Sequence, residues 1–296
     1  MQQEWDKAAF YCRKMITTSN NPEVHYYQLA AFLFEKSRGQ KDDAAGEHVR
    51  ECMLKVLSLK EEDAGELDLT ARSALKNAQG FINNNGHLLL PAFELIYLNQ
   101  MVRAMAFSKE RLALFLETAD ATLTQVVNDQ QLVAELDDEN GPCLDDYATL
   151  KLMKGLCFRY SSRTQQAADQ FKDVIERKHR LSSDNPTAGI ATVELGTMLI
   201  AAGQFAEGRF WLKNARDEFA AAVRCDASYV LRIERGLEKS AHFVEMMDGA
   251  DDESGGMFKR RSSAANVLRR VSLTFKPQGR QKRSNSIGFN HTDMNG

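Results

Sequence analysis

Proline is nearly missing from this chain, with five in 296 residues. Pro22, Pro91, Pro142 and Pro186 fall between apolar-periodic segments, where helices begin or end, so the segments themselves carry no breaker. No convincing run of alternating β-branched residues occurs, which removes the usual strand signal, and Ala, Leu, Glu, Lys, Gln and Met dominate, which favours helix. Paired cysteines are missing too. Cys12, Cys52, Cys143, Cys157 and Cys225 are odd in number, far apart and include no CxxC, which reads as buried free thiols in a reducing compartment. The opening MQQEWDKAAF has no apolar leader. The most apolar stretch, Leu88 to Leu98, contains Pro91 and Glu94 and is about half of what a bilayer span requires. The chain is therefore expected to be neither secreted nor transmembrane.

Catalytic signatures are equally scarce. There is no phosphate loop, dinucleotide fingerprint, GxSxG elbow or HExxH. His25, His48, His87, His179, His242 and His291 stand apart from one another and from the cysteines, so metal spacing is lacking. The acidic run Asp137 to Asp146 is not a calcium loop, because Leu136 stands where that loop needs an acid five residues before Gly141; it reads as a solvated loop. The expectation is a chain without cofactor or metal that is not an enzyme.

What the chain does contain is a succession of amphipathic helices of roughly 12–20 residues joined by short polar turns. Ser161-Ser162-Arg163, Ala202-Gly203-Gln204 and Asn83 to Gly86 mark breaks. Two segments repeat one spacing. Leu195-Gly196 and Leu199 are followed by Gly208, Leu212 and Ala215, which lie 12, 16 and 19 residues after Gly196. Gly155 and Phe158 are followed by Ala167, Phe171 and Val174 at the same three offsets from Gly155. A third, stretched copy has Leu29-Ala30 and Leu33, then Ala45, Val49 and Cys52, and Trp5 to Met15 reads as the second helix of a further repeat. Small, large, small at this spacing is the tetratricopeptide pattern: small residues sit where two helices cross closely and large ones fill the hollows beside them. The two glycine-centred copies are 41 residues apart, with the extra length around Lys178 to Pro186, which predicts an irregular stack. An antiparallel bundle without repeats is the other architecture these helices allow.

Leu150 to Ala241, with LMKGLCFRY, QAADQFKDVI, ATVELGTMLIAAGQFAEGRFWLKNARDEF and LRIERGLEKSA, resembles the C-terminal half of the tetratricopeptide repeat protein 39 family, whose fungal relatives are the inclusion body clearance proteins. LLLPAFELIYL and HYYQLAAFLFEKSRG are similar to the family as well, and the resemblance spans roughly residues 5 to 245. Asn99-Gln100 replaces an aromatic pair of the family, and the tail after Asp252 matches none of it. Family members are longer at the N-terminus, so the chain looks like a truncated form. The resemblance implies an adaptor located in the cytoplasm or peripheral to mitochondria or lipid droplets.

The expected fold class is all-α: tetratricopeptide-like helical hairpins stacked into an irregular right-handed superhelix over residues 1–250, with a disordered, basic Ser/Arg-rich tail at 251–296. Such a stack binds protein partners through the concave face lined by first helices. Leu152 and Leu156 in one repeat, Val193 and Thr197 in the other, stand where a peptide-end clamp has Lys and Asn, which argues for an amphipathic or extended apolar partner segment. Arg159 and Tyr160 are the candidate contacts; packing of Tyr160 against its own helix neighbour is the alternative. The tail from Met257 onward holds nine Lys/Arg against Asp293, leaving 29 basic and 40 acidic residues in the body. Arg260-Arg261 before Ser263, Arg269-Arg270 before Ser272 and the looser Arg283 before Ser286 have the spacing of basophilic-kinase sites, and the last resembles a docking site for a 14-3-3-type adaptor. Arg269, Arg270, Val271, Leu273 and Phe275 also allow peripheral contact with an anionic membrane. Nucleic acid is not expected, since stacking aromatics are scarce there. The two functional readings are a non-catalytic interaction scaffold with a phosphorylatable tail, and an organelle- or lipid-surface structural protein anchored by that tail.

Overall fold

The computed structural model describes residues 2–20, 22–38, 43–58, 69–83, 86, 88–129, 144–183, 185–218 and 227–250. Among these residues all regular structure is helical. Twelve α-helices follow one another: α1 (Gln2–Thr18), α2 (Pro22–Ser37), α3 (Asp43–Val56), α4 (Leu69–Asn83), α5 (Pro91–Leu98), α6 (Val102–Met105), α7 (Lys109–Asp129), α8 (Asp145–Tyr160), α9 (Thr164–Glu176), α10 (Thr187–Ala201), α11 (Phe205–Glu218) and α12 (Ala227–Ala250). Pro22 and Pro91 open α2 and α5, where a missing N–H removes no helical hydrogen bond. Asp145 and Asp146, expected in the acidic loop, instead form the first turn of α8, where carboxylates complement the helix dipole.

Three turns close with the same six-to-one hydrogen bond around one left-handed residue. Met101 N–H donates to Ile96 O at 2.8 Å across Gln100 (φ 55°), Arg163 to Phe158 O at 2.8 Å across Ser162 (φ 61°), and Gln204 to Leu199 O at 2.9 Å across Gly203 (φ 81°). Only the third turn has the residue that adopts this conformation without steric cost. Ser162→Gly is therefore expected to stabilise the chain by about 1 kcal/mol, read as a higher urea midpoint with unchanged slope.

Helices adjacent in sequence pack on one another through most of the chain, and alternate helices α8, α10 and α12 also touch in series. That is the contact pattern of a helical repeat solenoid. The core is nearly continuous in two parts. One is built on α1 to α5 around Tyr27, Met53 and Ala78; the other runs from the start of α4 to α12 around Phe115, Leu150, Phe171 and Leu212. Trp5 packs against both, stacking on Phe32 at 5.7 Å and meeting Phe93 edge-on at 5.9 Å. The extra length between the glycine-centred repeats forms a short 3-10 turn, Lys178–Arg180, and is pinned to the start of α8. Leu144 N–H donates to Arg180 O at 3.1 Å, and Asp145 accepts from Ser182 N–H at 2.9 Å and Ser182 Oγ at 2.7 Å. Burial works against the Asp145 charge, but these bonds and Lys76 outweigh it and bring its pKa down to about 2.

A candidate protein-interaction face

The repeat residues meet as their sizes require. Gly155, Ala167 and Phe171 are all buried, as are Leu195, Gly196, Gly208, Leu212 and Ala215. A Cβ on Gly155 would lie 2.5 Å from Phe171 Cε1, and one on Gly208 would lie 2.9 Å from the carbonyl oxygen of Gly196. Glycine at these points lets α8 close on α9 and α10 on α11. Gly236 on α12 belongs to the same series, 40 residues after Gly196, and a Cβ there would collide with Leu212 Cδ1. Leu212 thus sits between Gly196 of α10 and Gly236 of α12.

The first helices of three successive repeats, α8, α10 and α12, are tied by a charged network. Glu194 on α10 has only 3% of its side chain exposed. Arg159 Nη1 from α8 donates to Glu194 Oε2, to the Glu194 backbone oxygen at 3.1 Å and to Thr197 Oγ1 at 3.1 Å. Arg232 Nη1 from α12 lies 2.5 Å from Glu194 Oε1, and its Nη2 donates to Thr197 Oγ1 at 3.3 Å. Each guanidinium also lies against a tyrosine, Arg159 5.5 Å from the Tyr160 ring and Arg232 5.2 Å from the Tyr229 ring. Burial alone would raise the Glu194 pKa; Arg232 and Arg159 outweigh it and hold the carboxyl below its ordinary range. Burial and the Glu194 charge push the Tyr160 phenol up, against Arg159, Arg232 and the exposed Arg103 of α6, which pull it down.

Of the two candidate contacts, Arg159 is thus bound up in holding the helices together while keeping 17% of its side chain exposed, and Tyr160 is half-buried beside it. The sequence alone does not bring Glu194, Thr197, Arg232 and Gly236 together as members of this site. Glu194 carried a signal, since it is the one charged residue in the otherwise apolar run of α10. Arg232 carried none, being one cation among several on a polar-looking helix. Ser263, Ser272 and Ser286 lie outside the described residues.

Two further carboxyls lack a strong cation, Glu35 buried and Glu94 partly buried. Glu94 accepts from Ser73 Oγ and from Asn77 Nδ2 at 2.7 Å, and Asn77 also donates to Tyr27 Oη at 2.7 Å; burial raises the Glu94 pKa despite these bonds. Among the described residues Glu35 of α2 pairs with Arg38, 3.5 Å away, and burial pushes its pKa up from 4.5 to about 7. The folded chain retains a proton there that the unfolded chain releases. Stability is therefore expected to fall as pH rises from 4.5 through about 7, by on the order of 3 kcal/mol from this group. Glu35→Gln should remove that slope, matching the native chain at pH 4 and exceeding it at pH 8 in urea unfolding.

Cys12, Cys52 and Cys157 are buried free thiols, and burial raises the pKa of the first two to about 11. Among the described residues no group of His, Cys, Asp and Glu is placed to hold a metal ion, and no helix is long and apolar enough to cross a membrane.

Stacked hairpins with small residues at the crossings define the class as a tetratricopeptide-type repeat protein. The chain belongs to the Iml2/Tetratricopeptide repeat protein 39 family, whose model matches residues 1–161. It is similar to the tetratricopeptide repeat protein ttc-39B of Caenorhabditis elegans, 25% identical over 226 residues, which cover 73% of this chain and 35% of the relative. The chain thus spans about a third of the length of that relative. No solved structure matches it. Membership of this class points to protein binding as the general role.

Proposed function

We propose that the chain is a non-catalytic scaffold that binds protein partners along the face formed by α8, α10 and α12. The observation that carries this reading is the helix series itself. Three helices, spaced by 41 and 40 residues, are joined laterally by Glu194, Arg159 and Arg232, while their glycines pack against α9 and α11 behind them. A solenoid of this kind contacts partners along one helix row; α10 is almost wholly buried within it, so the contact surface is carried by the partly exposed residues of α8 and the exposed ones of α12. The basic segment from Met257 is then regulatory: a basophilic kinase acting at Ser263, Ser272 or Ser286 would cut its positive charge, and a 14-3-3-type adaptor at Ser286 would read the result. A cytoplasmic location, peripheral to mitochondria or lipid droplets, belongs to the same reading.

The test is affinity capture with mass spectrometry on the full chain and on a version ending at Asp252. Partners common to both forms support binding by the repeat body. Partners lost with the tail, together with loss of the chain from a membrane fraction, would move the function to a surface anchor.

A further inference from the structure

Arg159 spends only one of its three nitrogens on the protein. All its hydrogen bonds run through Nη1, to Glu194 and Thr197, and its Nε and Nη2 have no partner among the described residues. These two nitrogens form the edge of a guanidinium that receives a carboxylate through two parallel hydrogen bonds. The plane is held in place, because Nη1 is fixed on Glu194 and the Tyr160 ring lies beside it. The surrounding charge is unbalanced: Arg159 and Arg232 share the single carboxylate of Glu194, and Arg103 adds a further exposed cation near Tyr160. In a chain of net charge −3 this is a locally cationic spot on the face assigned to partners.

We propose that the open edge of Arg159, supported by Arg232 and Arg103, receives an aspartate or glutamate side chain of an acidic protein partner. This rests on the scaffold reading and adds the chemistry of the partner to it. Arg159 and Arg232 keep only 17% and 23% of their side chains exposed. A slender side chain reaches them; a flat bilayer surface does not. The occupant is a side chain and not a peptide end, because Leu152, Leu156 and Val193 flank the motif glycines and bring no second cation or amide there. The partner preference therefore departs from the wholly apolar segment that those positions imply when read alone.

The test is fluorescence anisotropy of the full chain with a fluorescein-labelled, C-terminally amidated oligoglutamate peptide. Saturable binding that weakens with salt is expected. Arg159→Lys keeps the charge on Glu194 but loses the fork, and should weaken binding about tenfold. Arg103→Gln, at an exposed position, should weaken it about threefold and flatten the salt dependence without changing the melting temperature. If Arg159→Lys unfolds, Arg103→Gln decides. No saturable binding overturns the proposal. So does equal affinity in the variants, which would assign the peptide to the basic tail. Partners still captured by the chain in either case leave the scaffold reading standing; an absence of captured partners removes that reading whatever the peptide does.

Discussion

Glu194→Leu is expected to lower the stability of the chain by about 3 kcal/mol, roughly 10 °C in melting temperature, the largest loss from any single charge. The carboxylate is 3% exposed and is the counter-ion of two guanidiniums from two other helices. Its removal leaves both cations in a low-dielectric setting without a counter-ion, with Thr197 Oγ1 to accept from each and the residue-194 backbone oxygen to accept from Arg159. The loss falls at the low end for a broken buried pair because Arg159 and Arg232 retain 17% and 23% exposure and can partly extend to water. The same physics predicts a rescue. Combining Glu194→Leu with Arg159→Met and Arg232→Met removes every charge together and should restore most of the lost stability, since apolar side chains of similar volume often replace such a triad at no cost. The triple variant should nevertheless lose partner binding. A loss under about 1 kcal/mol in Glu194→Leu would mean that the arginines are solvated and the network is superficial.

The network shows where sequence reading stops. Helix positions were legible because proline, glycine and the turn clusters punctuate the chain: α8 ends at Tyr160 and α10 at Ala201, beside the Ser161-Ser162 and Gly203 breaks. The close crossings were legible because Gly155 and Gly196 share offsets to Phe171 and Leu212, residues that fill the space a side chain would occupy. Gly236 escaped because its neighbour in space, Leu212, precedes it by 24 residues, so no forward offset reveals it. Arg159 and Arg232 are 73 residues apart and meet only because α8 and α12 flank α10. Nothing in the local pattern of either helix records that pairing. Asn99-Gln100 proves to be a structural joint: Gln100 takes the left-handed position after α5 and its side chain donates to Ser228 of α12.

Glycine-to-alanine substitutions should separate into two groups of opposite sign, although all the positions are helical. A Cβ added to Gly46 or Gly80 would meet nothing within 4 Å, so alanine there contributes only its better helix propensity. Each change is expected to stabilise by up to about 1 kcal/mol. Gly208 is the opposite case. Its Cβ would lie 2.9 Å from the Gly196 backbone oxygen and 2.8 Å from Ile200 Cγ1, and a backbone atom can yield only if α10 and α11 separate. Gly155→Ala meets the Phe171 ring at 2.5 and 2.8 Å, and that ring is fully buried, so it yields only by displacing its own neighbours. Both are expected to destabilise by about 2–3 kcal/mol despite the propensity gain. Gly236→Ala collides with one methyl of Leu212; that side chain is flexible, but retreat carries it toward Gly196, where the α10 backbone already closes the space. Its cost should lie between the other two groups. Urea midpoints of the five single variants test the order directly. Adding Phe171→Leu to Gly155→Ala separates collision from any other cause: a smaller side chain opposite the new methyl should recover about half the loss, whereas Phe171→Leu alone should itself cost about 1 kcal/mol by opening a void. If Gly155→Ala and Gly208→Ala behave like Gly46→Ala, the helix pairs do not cross as closely as the fold requires, and the solenoid packing that positions Glu194 between its two arginines is lost with them.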